Sequence, residues 1–384
     1  MLFVPSLENI AAVSVAVILY NDYEIQQSLK ETLYRFSPDE QWKNVMREKM
    51  PNHIVSIPAQ QKIMSFLKPI NYEAEKWKWH HRKLIGQDID WRITSKLLWK
   101  TDGTIARFET ANFFIRSDIL DIRNRFKLAC SYWKKESVIA IWKKMPESLC
   151  RDFSETYSRD DGFEGTDWNV KIWIRWYTEE YTKNSRKEIC LSSYDWNAVS
   201  LQGELPLKST PEERLEIIRR ILEWECDLHT ARFCVLFLKA DQRLEVLKTY
   251  PYQVLKSYLL SPCQSLFIEK ANYVRNDLSE AHFICLLHII YCQRVVPDWE
   301  DSDYVELLQE FWSIIPNYHK ESVKREDIYR AIELIVANGR SILSTENQFL
   351  FHSQQNVELN VTKCCEYIIR RIELIQLFNI SEEF

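Results

Sequence analysis

Residues 117–145, SDILDIRNRFKLACSYWKKESVIAIWKKM, decide the fold class. Ile119, Ile122, Phe126, Ala129, Cys130 and Trp133 recur at steps of three and four, which places them on one stripe of a helix, while Asp121, Arg123, Arg125 and Lys127 fall mostly off it. Ser117 or Asp118 is placed to cap the start, and acids early with Lys134 and Lys135 late match the helix dipole. After a short polar break, Val138, Ile141, Trp142 and Met145 form a second stripe, and Pro146 ends it because proline cannot continue the backbone ladder. Neither helix can hide its stripe alone, so the pair should fold back on itself and pack against others.

The composition agrees with helices. Hydrophobic residues at 46% and charged residues at 27% are ordinary for a globular chain, while 14 Trp, 18 Tyr and 18 Phe give it unusual aromatic bulk. Only 6 of the 384 residues are Gly, where average usage would give roughly 27. That shortage disfavours folds made of tight turns and hairpins. A chain of this length outgrows one core, so two regions or an elongated array are expected.

The net charge of −5 gives no global attraction to phosphate backbones or anionic membranes. The 10 Cys, scattered from Cys130 to Cys365 without a Cys-x-x-Cys pair, and the lack of a basic leader point to reduced thiols in the cytosol or nucleus. The early apolar run from Ile10 to Tyr20 is shorter than the ~20 residues of a spanning helix. No membrane span is therefore expected.

The rest of the chain reads as further helices. Leu7 to Tyr20 is apolar nearly all round, which predicts a helix packed on several sides, followed by one over Tyr23 to Phe36. Prolines punctuate 38–69, with a short helix between Pro58 and Leu67; Tyr72 to Ile85 follows with Gly86 as a stop, then Trp91 to Trp99 and Thr104 to Ile115. Residues 192–209 show no sustained periodicity and form a linker between regions 1–191 and 210–384. Thr210-Pro211-Glu212-Glu213 opens the second region with a capping hydroxyl, a proline at the first helical position and a Glu three residues after the Thr. Leu278 to Gln293 is nearly all apolar and should cross its core, and Val361 to Leu377 is the last helix.

Arg-Phe or His-Phe pairs recur at Arg35-Phe36, Arg107-Phe108, Arg125-Phe126, Arg232-Phe233 and His282-Phe283 at irregular intervals. The helix-pair length loosely resembles ankyrin, tetratricopeptide and armadillo arrays, but their signature residues and fixed periods are absent. The expected fold is all-α: stacked antiparallel helix pairs in an irregular, α-solenoid-like array of two regions.

Two exposed features carry the functional expectations. The run Lys76-Trp77-Lys78-Trp79-His80-His81-Arg82-Lys83 interleaves bases and aromatics, the mixture that stacks on single-stranded nucleic acid. The simpler reading turns Trp77, His81 and Leu84 inward and leaves Lys78, Arg82 and Lys83 in water, and with a net negative chain nucleic acid is the weaker partner. The second feature is the acidic turn of Asp160, Asp161, Glu164 and Asp167. Its Asp-Asp-x-x-Glu spacing resembles the terpene synthases, a resemblance that implies magnesium held against a diphosphate. The second metal motif of that family is not matched, because in Asn276-Asp277-Leu278-Ser279-Glu280 the Ser is one place early and Ile284 stands where a Glu is needed.

His282, Cys285, His288 and Cys292 share a helix side, yet one straight helix presents only neighbouring pairs to one zinc, so buried thiols and imidazoles are the expected reading. No phosphate loop, dinucleotide fingerprint or nucleophile elbow occurs, and no cofactor is expected. The function read from the sequence is a non-enzymatic scaffold for another protein, with Lys76 to Lys83 and the acidic turn as its candidate surfaces. The alternatives are a magnesium-dependent enzyme at the turn and a nucleic-acid binder at the basic helix.

Overall fold

The computed structural model describes residues 5–34, 41–50, 56–86, 89–158, 166–178, 199, 201, 210–223, 228–295, 298–326 and 328–340. These residues are overwhelmingly helical, with no strand among them and one isolated bridge, Trp99 to Ile105. The first helices are α1 Leu7–Tyr20, α2 Tyr23–Tyr34, α3 Gln41–Lys49, α4 Ile57–Ser65, α5 Leu67–Ile85, α6 Trp91–Thr94, α7 Arg107–Arg116, α8 Ile122–Ser131, α9 Lys135–Lys144, α10 Glu147–Ser158 and α11 Thr166–Thr178. Then come α12 Pro211–Glu223, α13 Leu228–Phe237, α14 Ala240–Thr249, α15 Pro251–Tyr258, α16 Phe267–Tyr273, α17 Glu280–Ile290, α18 Tyr304–Ile314, α19 Asn317–Val323 and α20 Tyr329–Asn338. A π-helical turn over Tyr291–Val295 prolongs α17. No described helix is long and apolar enough to cross a membrane.

The quoted stretch forms the hairpin α8–α9. Its cap is Asp121, whose carboxylate accepts from the Asn124 amide at 2.7 Å, so the helix starts later than the sequence implies. Ser117 instead follows the end of α7, and Ile119 stands outside the helix, exposed. Phe126, Ala129, Cys130, Val138, Ile141 and Met145 are buried as their spacing requires. Trp133 makes the turn at φ 54°, a region costly for a bulky residue, and is held by packing on Trp173 at 5.5 Å. The Trp173 indole in turn donates to the Cys130 carbonyl at the end of α8.

Among the described residues, buried apolar side chains form two clusters, one from residues 12–199 and one from 201–335. We call the parts of the chain around them the amino-terminal and carboxyl-terminal lobes. Of the expected linker, Val199 is buried in the first cluster and Leu201 in the second; its other residues lie outside those described, as does the expected helix from Val361 to Leu377. Neighbours in sequence pair, as α8 with α9 and α2 with α3, but α5 also meets α1, α2, α4 and α8, so packing runs across the sequence as well as along it.

Three expectations change. Helix α1 buries Ala12, Val13, Ala16 and Tyr20 on one side only, leaving Leu7 86% and Ile18 70% exposed, so its nearly all-round apolar sequence does not mark a helix enclosed on several sides. Helix α5 begins at Leu67 rather than Tyr72; Pro69 sits in its first turn, where a missing amide costs no hydrogen bond. The expected helix from Trp91 to Trp99 is only the short α6. Its continuation is extended because Thr110 Oγ1 takes the Leu98 amide, Lys100 pairs with Thr104, and Gly103 turns the chain at φ 82°.

Candidate functional site

Helix α5 has two buried sides. One, carrying Ile70, Ala74, Trp77, His81 and Leu84, belongs to the amino-terminal core. On the other, Lys68, Tyr72, Glu73 and His80 meet polar groups brought by α7, by α13 and by the loop that leads into α18. This second side is an ionic seam between the lobes, and Glu73 is its centre.

Glu73 Oε2 lies 2.7 Å from Arg232 Nη2 and 3.0 Å from His229 Nδ1, both on α13. Its Oε1 accepts from the Ile105 amide at 3.4 Å and lies 3.7 Å from Arg107 Nη2. The Trp99–Ile105 turn is what aims that amide and sets Arg107 at the start of α7. Arg232 also donates to the Ser261 carbonyl at 2.8 Å, and Arg107 Nη1 contacts His80 Nδ1 at 2.8 Å. A charged group removed from water survives only when paired and hydrogen-bonded, and here one carboxylate faces two guanidiniums.

The protonation states follow. Burial alone would raise the Glu73 pKa, but Arg232, then His229 and Arg107, hold it well below the usual carboxylate range. Burial pushes His229 down to about 3 despite the attraction of Glu73, since a third cation beside Arg107 and Arg232 would be repelled. Neutral His229 therefore carries its proton on Nδ1 and donates it to Glu73. Glu73 is committed on both oxygens and is no free base; the arrangement acts as a clamp.

The seam continues through Tyr72, whose ring lies 5.4 Å from His229 and 5.8 Å from Trp299. Trp299 covers the buried Arg294 guanidinium at 4.0 Å, and Arg294 comes from the π-helical turn, which re-aims the side chains that follow α17. Asp301 accepts from Gln264 at 2.5 Å and from the Tyr304 hydroxyl at 3.3 Å, and burial, against the pull of Arg294, raises its pKa to about 6. Nearer solvent, Lys68 donates to the Asp298 carbonyl at 2.8 Å, and Lys43 pairs with Glu300 at 2.9 Å. Burial lowers Lys68 to about 8.

Of the residues singled out in the sequence, Trp77 is buried in the amino-terminal core, stacked on His81 at 4.1 Å, and is no surface group. Trp79 is 36% exposed, with Lys76 and Arg82 each 5.5 Å from its ring. Lys78 pairs with Glu75 along the helix, and Lys83 is exposed. Asp160, Asp161 and Glu164 lie outside the described residues, as does the side chain of Asp167.

Ser279, part of the second metal motif considered above, caps α17 by accepting from the His282 amide at 3.2 Å. Cys285 and His288 are buried, while His282 stacks on Tyr252 at 4.7 Å; among the described residues no cluster could hold a metal ion.

The sequence reading missed Glu73, His229 and the convergence of Arg107 and Arg232 on the Glu73 carboxylate. The available signal was an arginine inside the apolar run LHTARFCVLF of α13, which demands a buried partner without naming it. Comparison with protein-family models, curated proteins and solved structures gives no match. The functional reading therefore rests on the geometry.

Proposed function

We propose that the chain is a non-catalytic protein-interaction scaffold: two helical lobes clamped by the Glu73 seam, presenting a rigid surface to another protein. The observation that supports this most is the division of labour along α5. Its ionisable residues at the seam are spent on holding the lobes, while its outer side presents Trp79 flanked by Lys76 and Arg82. A Trp braced by cations loses little freedom on binding, and Trp and Arg dominate the energetic centres of protein interfaces. Lys83 beside it favours an acidic partner surface.

The test is quantitative capture from native extract with the full chain and its Trp79→Ala/Arg82→Ala variant. A protein retained by the parent and lost by the variant, at unchanged melting temperature and after nuclease treatment, is the expected result. Equal capture by both, or capture abolished by nuclease, would remove this reading.

A further inference from the structure

The outward side of α1 carries Leu7, Ala11, Ser14 and Ile18, all exposed, at steps of four, three and four. That spacing draws one straight stripe along a helix. Its chemistry is unusual for a surface. The stripe holds no charged residue, and its one hydroxyl, Ser14 Oγ, is already spent on the Ile10 carbonyl at 2.7 Å. Tyr23 and Trp91, packed edge to face at 6.1 Å and both exposed, stand at the Ile18 end, where the Trp91 indole donates to the Asn21 carbonyl.

The order of sizes is large, small, small, large, symmetric about the midpoint between residues 12 and 13. Turned end for end, the stripe meets its own image: Leu7 falls opposite Ile18, and Ala11 opposite Ser14. Two small residues at the centre allow the helix axes to approach closely, and the large ones close the ends. This is the requirement for an isologous contact, in which residue i meets j and j meets i. Each Leu7 would then dock at the Ile18 end of the other copy, beside Tyr23 and Trp91. Glu8, at the edge of the stripe, falls opposite Val17 rather than opposite its own copy, so the register sets no like charges together.

We propose that the outward stripe of α1 is a self-association surface, and that its occupant is the antiparallel α1 of a second copy of this chain. It is separate from the Trp79 surface and does not depend on the scaffold reading. One helix pair with an aromatic rim buries less than the ~1,600 Å² of a standard complex, so the dimer is reversible and concentration-dependent.

Sedimentation of the full chain over a range of concentrations tests this. The parent should shift from monomer to dimer, Ile18→Asp should weaken association about a hundredfold because each copy loses a buried apolar anchor, and Tyr318→Ser on the distant α19 should change nothing. The register is read by rescue. Positions 7 and 18 are about 16 Å apart along one helix, too far to pair within a copy, so Leu7→Asp combined with Ile18→Lys restores dimer only when the two copies run antiparallel. A chain monomeric at every concentration, association indifferent to Ile18→Asp, or a double variant no better than either single one would overturn the proposal. A monomer whose melting temperature falls with Ile18→Asp would show the stripe covered by its own chain, and would overturn it equally.

Discussion

On the side of α5 that enters the amino-terminal core, His81 lies stacked against Trp77, donates from Nδ1 to the Trp77 carbonyl at 2.7 Å and accepts the Tyr132 hydroxyl at 2.9 Å. Burial, and then the Arg107 charge, hold it well below the usual imidazole range, so it stays neutral. Two turns earlier, on the side that meets the other lobe, Glu73 keeps its charge because Arg232, His229 and Arg107 surround it. One helix therefore buries titratable groups by neutralisation on one side and by pairing on the other. The difference sets what each side can lose. A neutral bond broken in the core costs a hydrogen bond, whereas a charge removed from the seam strands its partners in a dry environment.

The largest expected effect is at the seam. Glu73→Gln leaves Arg232 and Arg107 buried without a counter-charge and should cost about 3–5 kcal/mol in urea unfolding. A loss below about 1 kcal/mol would mean that the lobes do not depend on this charge.

Acid should act next. His229 and His81 are neutral when folded and take up protons on unfolding. Their contribution is full above pH 6.5 and is lost as pH falls below it, for His229 down toward its folded value of about 3. Each such proton contributes a slope of about 1.4 kcal/mol per pH unit. Asp301 works against this: its folded pKa of about 6 exceeds the ordinary aspartate value of 3.8, so the native state gains a proton between those values and recovers stability. Urea midpoints from pH 7.5 to 5 should fall, and Asp301→Asn should steepen the decline below pH 6. A flat profile would contradict the assigned neutral histidines.

On the core side, Tyr132→Phe removes the donor to His81 Nε2 and should cost about 1–2 kcal/mol, clearly less than the seam change. Asp121→Ala, which uncaps α8, should cost about 1 kcal/mol. Smallest of all, Trp79→Ala should stay within about 0.5 kcal/mol of the parent while losing captured protein, because its loss empties no core.

Legibility followed distance along the chain. The capping box at α12 was readable because its parts are adjacent: the Thr210 hydroxyl accepts from Glu213 at 3.2 Å, and the Glu213 carboxylate accepts back at 2.9 Å. The α8–α9 hairpin was readable from its stripes, although the competition between Ser117, Asp118 and Asp121 for the cap was settled by α7 ending at Arg116. The inward turn of Trp77, His81 and Leu84 follows from helical spacing alone.

The seam could not be read, since Glu73 and Arg232 are 159 residues apart and nothing local marks either as the other's partner. Arg107-Phe108 and Arg232-Phe233 stood out as a recurring dipeptide, but what they share is tertiary: each arginine turns to Glu73. Helix α1 shows the opposite failure. Its composition describes a core helix, while packing on α4 and α5 leaves one stripe outside.

Glu73 and Arg232 act as one unit holding the lobes together, and a double-mutant cycle measures that coupling directly. Unfolding free energies would be taken for the parent, Glu73→Gln, Arg232→Met and the double variant. The double variant should lose at least about 2 kcal/mol less than the sum of the two single losses, because removing both partners strands no charge between them. Losses that add within about 0.5 kcal/mol would contradict it.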